Sequence, residues 1–312
     1  MAFLAAVFSE STLTAILRMA TPLIFIAMAA CIGRKADITS IAYEGMALFA
    51  ALCGTLGSHF TNSLGLGALI GIAAGMLVAI IFAYFVLYLD TSPMLIGLAL
   101  NSLGSFGTVY LLFLITGRKS DSSSYSSLSF PSIEIPALKD VPILGALFNG
   151  TNVLTYLAIL ATIVIFIVIY KTPFGLRLRS VGESPDAAQS VGINVKRTRF
   201  IVMLISGFLA SMGGLFMSMA YLPYFTKNML SGRGFIGLAA CNLAAGHPLG
   251  AFACAVLFGA ADAIANIAQT FRLPAQFASM LPYVVTIIGL CVTGYQSTHQ
   301  KVKKAVKEGK AA

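Results

Sequence analysis

The sequence predicts an all-α membrane protein, a polytopic transmembrane helical bundle of about 8–10 spans, some short or broken, with an inverted internal repeat. Three observations carry that reading. Apolar residues make up 58% of the 312 positions and charged residues only 10%, where a soluble domain carries about 25% charge. The apolar residues gather into nine runs, at 12–33, 45–60, 64–89, 93–116, 152–170, 200–222, 235–247, 249–270 and 275–295, and most reach the ~20 residues that cross a hydrocarbon core. Lys and Arg concentrate in two polar segments, 171–199 and the tail 296–312, as the positive-inside rule expects of cytoplasmic segments.

The chain, 1–312, reads as a single transmembrane domain. The runs at 45–60 and 235–247 are short, as half-helices or tilted pieces buried among neighbours are; irregular backbone at membrane depth survives only under cover of protein or a water-filled cavity. Nine crossings put the termini on opposite sides. With the basic tail inside, 13 Lys and Arg lie inside, 6 outside, and Arg18 lies within a span, so the C-terminus is expected in the cytoplasm and the N-terminus outside. The first ten residues lack a basic stretch and do not read as a cleaved signal.

The segment 117–151 is then an external loop, rich in Ser and punctuated by Pro131, Pro136 and Pro142. It is long enough to meet an outside partner, with a disordered spacer as the alternative. The segment 171–199 is a cytoplasmic loop containing a punctuated helix signal. Ser184 caps it, Pro185 suits its first turn, Asp186 complements the positive helix end and Gly192 closes it. A small rigid knob of this kind is a docking surface or a solvated helix without a partner.

Two stretches resemble each other. Glu44-Gly45-Met46 opens one short run, followed by a long run and Pro93; Arg233-Gly234-Phe235 opens the other, followed by a long run and Pro274. One starts inside and the other outside, the signature of an inverted repeat, with chance similarity as the alternative. Small residues recur every fourth position at Gly67, Gly71, Gly75, Ala79 and Ala83, and at Ser206, Ala210, Gly214 and Ser218, a spacing that lets helix backbones approach closely in lipid.

The sequence holds little catalytic material. His59, His247 and His299 are far apart and lack metal-ligand spacing. A phosphate-cradling Gly-x-x-x-x-Gly-Lys-[Ser/Thr] loop does not occur. The five cysteines, Cys31, Cys53, Cys241, Cys254 and Cys291, fall in apolar runs and read as small buried hydrophobes. The basic residues are not interleaved with exposed aromatics, so nucleic acid is not expected as a partner. Arg18, Glu44 and Asp262 lie in or near spans, where a charge is costly and marks function or a buried pair. Neutral polar groups at Asn101, Ser102, Ser105, Asn242, Asn266 and Gln269 suit either hydrogen bonding to an uncharged solute or interhelical contacts.

Four stretches carry a resemblance to a known family. They are Ile41–Met46, Gly175–Val195, Gly232–Ala239 with Pro248–Ala251, and Leu273-Pro274 with Met280–Tyr283. In this order the chain resembles the membrane permease subunits of bacterial ATP-binding-cassette importers for branched-chain amino acids, ribose and nucleosides, nearest the nucleoside or simple-sugar branch. Ser40 and Ala42 depart from the family's usual Asn and Gly. The resemblance implies a permease in the bacterial cell membrane that is not itself an enzyme. It implies partner ATPase subunits that use ATP, a second homologous permease in a hetero-dimer, surrounding lipid and an extracellular or periplasmic solute-binding protein; no cofactor is expected on this chain. Its coupling residues would be Gly182, Glu183, Ser184, Pro185, Asp186, Ala187, Ala188 and Gly192. Its motif residues are Glu44, Gly45, Arg233 and Gly234. Asn101, Ser105, Phe106, Phe235 and Asn242 are the expected pathway residues, because a nucleoside needs aromatic faces beside neutral hydrogen-bond groups. Ribose or another simple sugar is the alternative solute, and a self-contained secondary transporter the alternative class.

Overall fold

The computed structural model describes residues 10–133 and 150–270, with positions 284 and 287. Most of the run at 275–295, the motif at Leu273-Pro274 and Met280–Tyr283, the tail and the loop stretch 134–149 lie outside the described residues. In chain order the helices are α1 (Glu10–Lys35), α2 (Tyr43–Thr61), α3 (Leu64–Tyr88), α4 (Pro93–Thr116), α5 (Val153–Lys171), α6 (Pro173–Glu183), α7 (Pro185–Ser190), α8 (Val195–Phe216), α9 (Arg233–Leu243) and α10 (Pro248–Thr270). A π-helical turn, Met217–Tyr221, extends α8, and strands β1 (Ser132–Ile133) and β2 (Thr151–Asn152) pair antiparallel before α5. Six helices, α1, α3, α4, α5, α8 with its π turn, and α10, are long and apolar enough to cross a membrane.

The helix starts follow local chemistry. Asn152 caps α5 by accepting from the Leu154 amide at 3.0 Å, and Asn194 caps α8 by accepting from Arg197 at 2.9 Å. Pro93 and Pro173 occupy first-turn positions, where their missing N–H is no loss. With α2 and α9 counted, successive helices through the bundle alternate in direction. One end of the bundle gathers the ends of α1, α3 and α5 with α6 and α7, and is the knob end; the other gathers residues 117–133 and 222–231 and is the far end.

α1 is the central post. From Ala20 to Ile32 it is buried, packed by α10, α8, α9 and α5. α2, α3 and α8 form a second tightly packed group, made possible by the small residues the sequence showed. Gly67, Gly71, Gly75, Ala79 and Ala83 are all buried on α3, and Ser206, Ala210, Gly214 and Ser218 on α8 and its π turn. At Gly71 an added Cβ would stand 2.7 Å from the Ala50 carbonyl oxygen. These helix backbones touch, and dispersion over that contact replaces the hydrophobic drive that lipid removes.

α2 and the short α9 both start inside the bundle. α9 runs alongside α1 in the same direction: Arg233 reaches Met19, Gly237 seats on Ile26, and Asn242 bonds Arg34. α9 therefore begins beside the middle of α1 and descends to the knob end. α2 begins with Gly45 against Leu100, Asn101 and Gly104, half-way along α4, and ends at the far end, where Ser58 bonds the Leu128 amide. The two helices thus run in opposite directions from N-termini that lie near each other inside the bundle.

The far end is closed by the Ser-rich loop. Ser122 and Phe225 exchange hydrogen bonds of 2.8 and 2.9 Å, Ser127 donates its amide to Pro223 O at 2.8 Å, and Phe130 donates to Met219 O at 2.8 Å. Over residues 120–130 it is thus a packed cover, not a spacer. Ser127 Oγ also donates to Ser218 O, a carbonyl of the π turn, at 3.1 Å.

A turn at Asp121 organises this cover. Its carboxylate accepts from Ser123 Oγ, Ser120 Oγ and the Ser123 amide, with Arg118 nearby. These donors, the Ser123 hydroxyl first, lower its pKa to about 2. A depressed carboxyl stabilises the turn fully above the ordinary aspartate value near 4 and loses that contribution as pH falls through about 2. Carboxyl-carbon NMR of Asp121 is expected to titrate at about 2; a midpoint near 4 would show the turn to be open.

Candidate coupling knob and mid-depth helix junction

The knob is two helices joined at Ser184. Thr172 caps α6 by accepting from the Gly175 amide at 3.1 Å, and Ser184 caps α7 by accepting from Ala187 at 3.4 Å. Asp186 stands in the first turn of α7. The chain leaves through Gly192, whose φ of +85° suits glycine. Leu178, Val181 and Ala188 are buried; Glu183, Ser184, Asp186, Ala187 and Gln189 are exposed. Val191, 75% exposed, is an apolar side chain on this surface, and Leu176 of α6, 63% exposed, is another. The eight expected coupling residues do come together, with one correction: Ala188 packs inward and only Ala187 of the alanine pair faces out.

The knob is seated on the end of α1. A Cβ at Gly182 would overlap the Lys35 carbonyl oxygen, so only glycine allows this approach. Arg199 donates through Nε to Ala36 O at 3.0 Å and pairs with Asp37 at 3.4 Å. Arg34 donates to Asn242 Oδ1 at 2.8 Å and to the Asn242 carbonyl at 3.3 Å. In the sequence these arginines registered only as positive-inside charge.

The second site is the junction where α2 and α9 begin. Glu44, 6% exposed, accepts through Oε1 from the Gly232 amide at 2.8 Å. Gly234 presses on the Glu44 backbone, where a Cβ would stand 2.6 Å from Glu44 Cβ. Asn101 Oδ1 accepts from the Gly45 amide and its Nδ2 donates to Ile41 O, both at 2.9 Å. Orphan donors at both helix starts are thus met by side chains from other elements. Arg233 pairs with Asp262 at 2.9 Å, which accounts for the intramembrane acid. Glu44 Oε2 and Arg233 Nε are buried without a hydrogen-bond partner among the described residues.

The structure brings Glu44, Gly45, Asn101, Arg233 and Gly234 together. Phe235 follows at the start of α9 and is exposed. Phe106 does not join them: Asn101, Gly104 and Thr108 form the inward face of α4, and Phe106, 77% exposed, points away. Ser105, its neighbour, is half-buried. Asn242 lies at the other end of α9, bound to Arg34. Near the far end a cavity of about 450 Å³ lies between Thr14, Arg18, Phe130, Asn152 and Thr155, and the Arg18 guanidinium stands 5.2 Å from the Tyr221 ring centre. Among the described residues no group of three His, Cys, Asp or Glu is placed to hold a metal.

A bundle with a rigid handle at one end and half-helices meeting inside it is the architecture of a transport subunit. Residues 12–290 match the family described as branched-chain amino acid transport system / permease component, and the chain belongs to that family. It is 34% identical over 287 residues to the guanosine ABC transporter permease protein NupQ of Bacillus subtilis (strain 168), covering 88% of this chain and 89% of that one. It is 31% identical to the nucleoside ABC transporter permease protein NupC of Lactococcus lactis subsp. cremoris (strain MG1363), covering 87% and 88%. Its fold is similar to the solved structure of PsaBC from Streptococcus pneumoniae in complex with Fab, at a TM-score of 0.50 and 15% identity over 89% of this chain and 90% of that one. This is a multi-pass membrane permease subunit of an ABC importer, a transport component that works with ATPase and substrate-binding partners.

Proposed function

We propose that this chain forms the translocation pathway for a nucleoside, moved by ATPase domains that dock on the α6–α7 knob from the cytoplasm. The solute-binding protein docks at the far end, and a second, homologous permease completes the path. ATP is used by the partner subunits, and this chain holds no cofactor. The observation that carries the coupling role is the doubly capped knob, exposed on its outer face and seated through Gly182 on the central post. The similarity to guanosine and nucleoside permeases over most of the chain supports the solute class. The pathway passes the α2–α9 junction, where Asn101 and Glu44 set the two helix starts and Phe235 offers an exposed aromatic face. Ligand at the far end and ATP at the knob then bias a bundle with two arrangements.

Two experiments test this reading. On a chain freed of native cysteines, a membrane-impermeant maleimide added outside intact cells is expected to label Ser123→Cys and spare Ser184→Cys and Lys303→Cys. Labelling at 184 would invert the topology. In vesicles with the complete importer and ATP, radiolabelled guanosine, adenosine, uridine and inosine are the solutes to compare with ribose. Uptake of at least one nucleoside is expected; uptake of ribose alone would reject the solute class and leave the family intact.

A further inference from the structure

We infer that Arg34 is a positioning residue of the transport cycle, tying the half-helix α9 to the same end of α1 that carries the knob. Two sets of contacts converge there. On one side Gly182 rests on the Lys35 carbonyl, and Arg199 holds Ala36 O and Asp37. On the other, Arg34 donates to both the side chain and the carbonyl of Asn242, in the last turn of α9. The following chain passes close to Arg34 at Gly246, where φ is +74° and a Cβ would come within 3.1 Å of Arg34 Cδ. Just above, Gly237 seats on Ile26.

The consequence is mechanical. α9 has 11 residues, too few to hold its own shape without anchored ends. Arg34 supplies a further anchor at the C-terminal end, where a cation meets the negative end of the helix dipole and adds to the bond that the Asn242 carbonyl already accepts from the Ala245 amide. The opposite end of α9 is the Gly232–Glu44 contact. A displacement of the knob thus reaches the end of α1, passes through Arg34 to α9, and arrives at the mid-depth junction. Asn242 acts here as the receiving end of a latch and not as a solute contact.

This inference rests on the knob being the ATPase contact, so the test separates the two. In the complete importer, with the native cysteines of this chain replaced by alanine, Phe235→Cys reports the start of α9 by its rate of maleimide labelling. That rate is compared without nucleotide and with ATP plus vanadate, and ATP hydrolysis is measured alongside. The parent is expected to show a change of about fivefold. Arg34→Ala is expected to reduce the change to less than about twofold while hydrolysis stays within about twofold, and Arg34→Lys to restore it, since an ammonium also donates to the Asn242 oxygens. Asn242→Ala should match Arg34→Ala, and the double variant should be no worse than either. A labelling change that survives in Arg34→Ala, that is absent from the parent, or that disappears together with hydrolysis overturns the latch. Ala187→Asp reads the knob separately: it is expected to lose binding of the ATPase subunits, and retained binding would reject the docking surface without bearing on the contacts of Arg34.

Discussion

Val191→Asp is expected to abolish ATP-driven uptake while the chain still inserts and folds. Val191 is 75% exposed, so little of the fold rests on its side chain. Under an ATPase subunit the new carboxylate would be buried without a partner, a loss of about 3–5 kcal/mol and hence more than about 100-fold in association. Co-purification of the ATPase subunits, with uptake measured on the same preparation, checks this. Wild-type binding and uptake would remove Val191 from the docking surface. Gly182→Leu should also stop uptake, by a different route: it forces the knob off the Lys35 carbonyl. It therefore leaves the outer surface of the knob intact, and ATPase binding is expected to fall less than with Val191→Asp.

The second large effect is expected at the helix junction. Gly234→Ala places a methyl group 2.6 Å from Glu44 Cβ and 2.8 Å from its amide nitrogen, and Gly45→Ala places one 2.5 Å from the Leu100 carbonyl oxygen. Backbone atoms cannot rotate away, so α9 must move off α2 in the first variant and α2 off α4 in the second, at about 1–3 kcal/mol for each substitution. Each variant should unfold at lower temperature in detergent and lose most of its transport. Gly65→Ala is the control, because nothing lies within 4 Å of its added Cβ, and it is expected to behave as the parent. Unchanged thermal unfolding in Gly234→Ala would show that the junction is looser than described.

Much of this architecture was legible from local pattern. The long apolar runs became α1, α3, α4, α5, α8 and α10 because about 20 apolar residues in lipid have one way to satisfy their backbone. Every-fourth spacing of Gly, Ala and Ser located the packed faces of α3 and α8, and the Ser184-Pro185 pair located the start of α7. What stayed hidden depends on contacts far apart in sequence. Asn101 bonds a residue 56 positions away and Asn242 one 208 positions away, so a solute contact and a helix latch look alike in the sequence. α6 escaped notice because only Leu178 and Val181 mark its inner face amid Arg177 and Arg179. α7, with six residues, is too short for a period that would tell Ala187 from Ala188. The order of the loop at 120–130 was not legible because it comes from hydrogen bonds to residues 219–227, about 100 positions away.

The most direct test of the account is the initial rate of labelled nucleoside uptake in vesicles holding this chain with its ATPase subunits, second permease and binding protein. Each sample is measured with ATP or a non-hydrolysable analogue, and with or without a proton ionophore. The account predicts uptake that requires hydrolysable ATP and the ATPase subunits and that is indifferent to the ionophore. Uptake that persists without the ATPase subunits and collapses with the proton gradient would contradict it, and would make the knob an ornament of a secondary transporter.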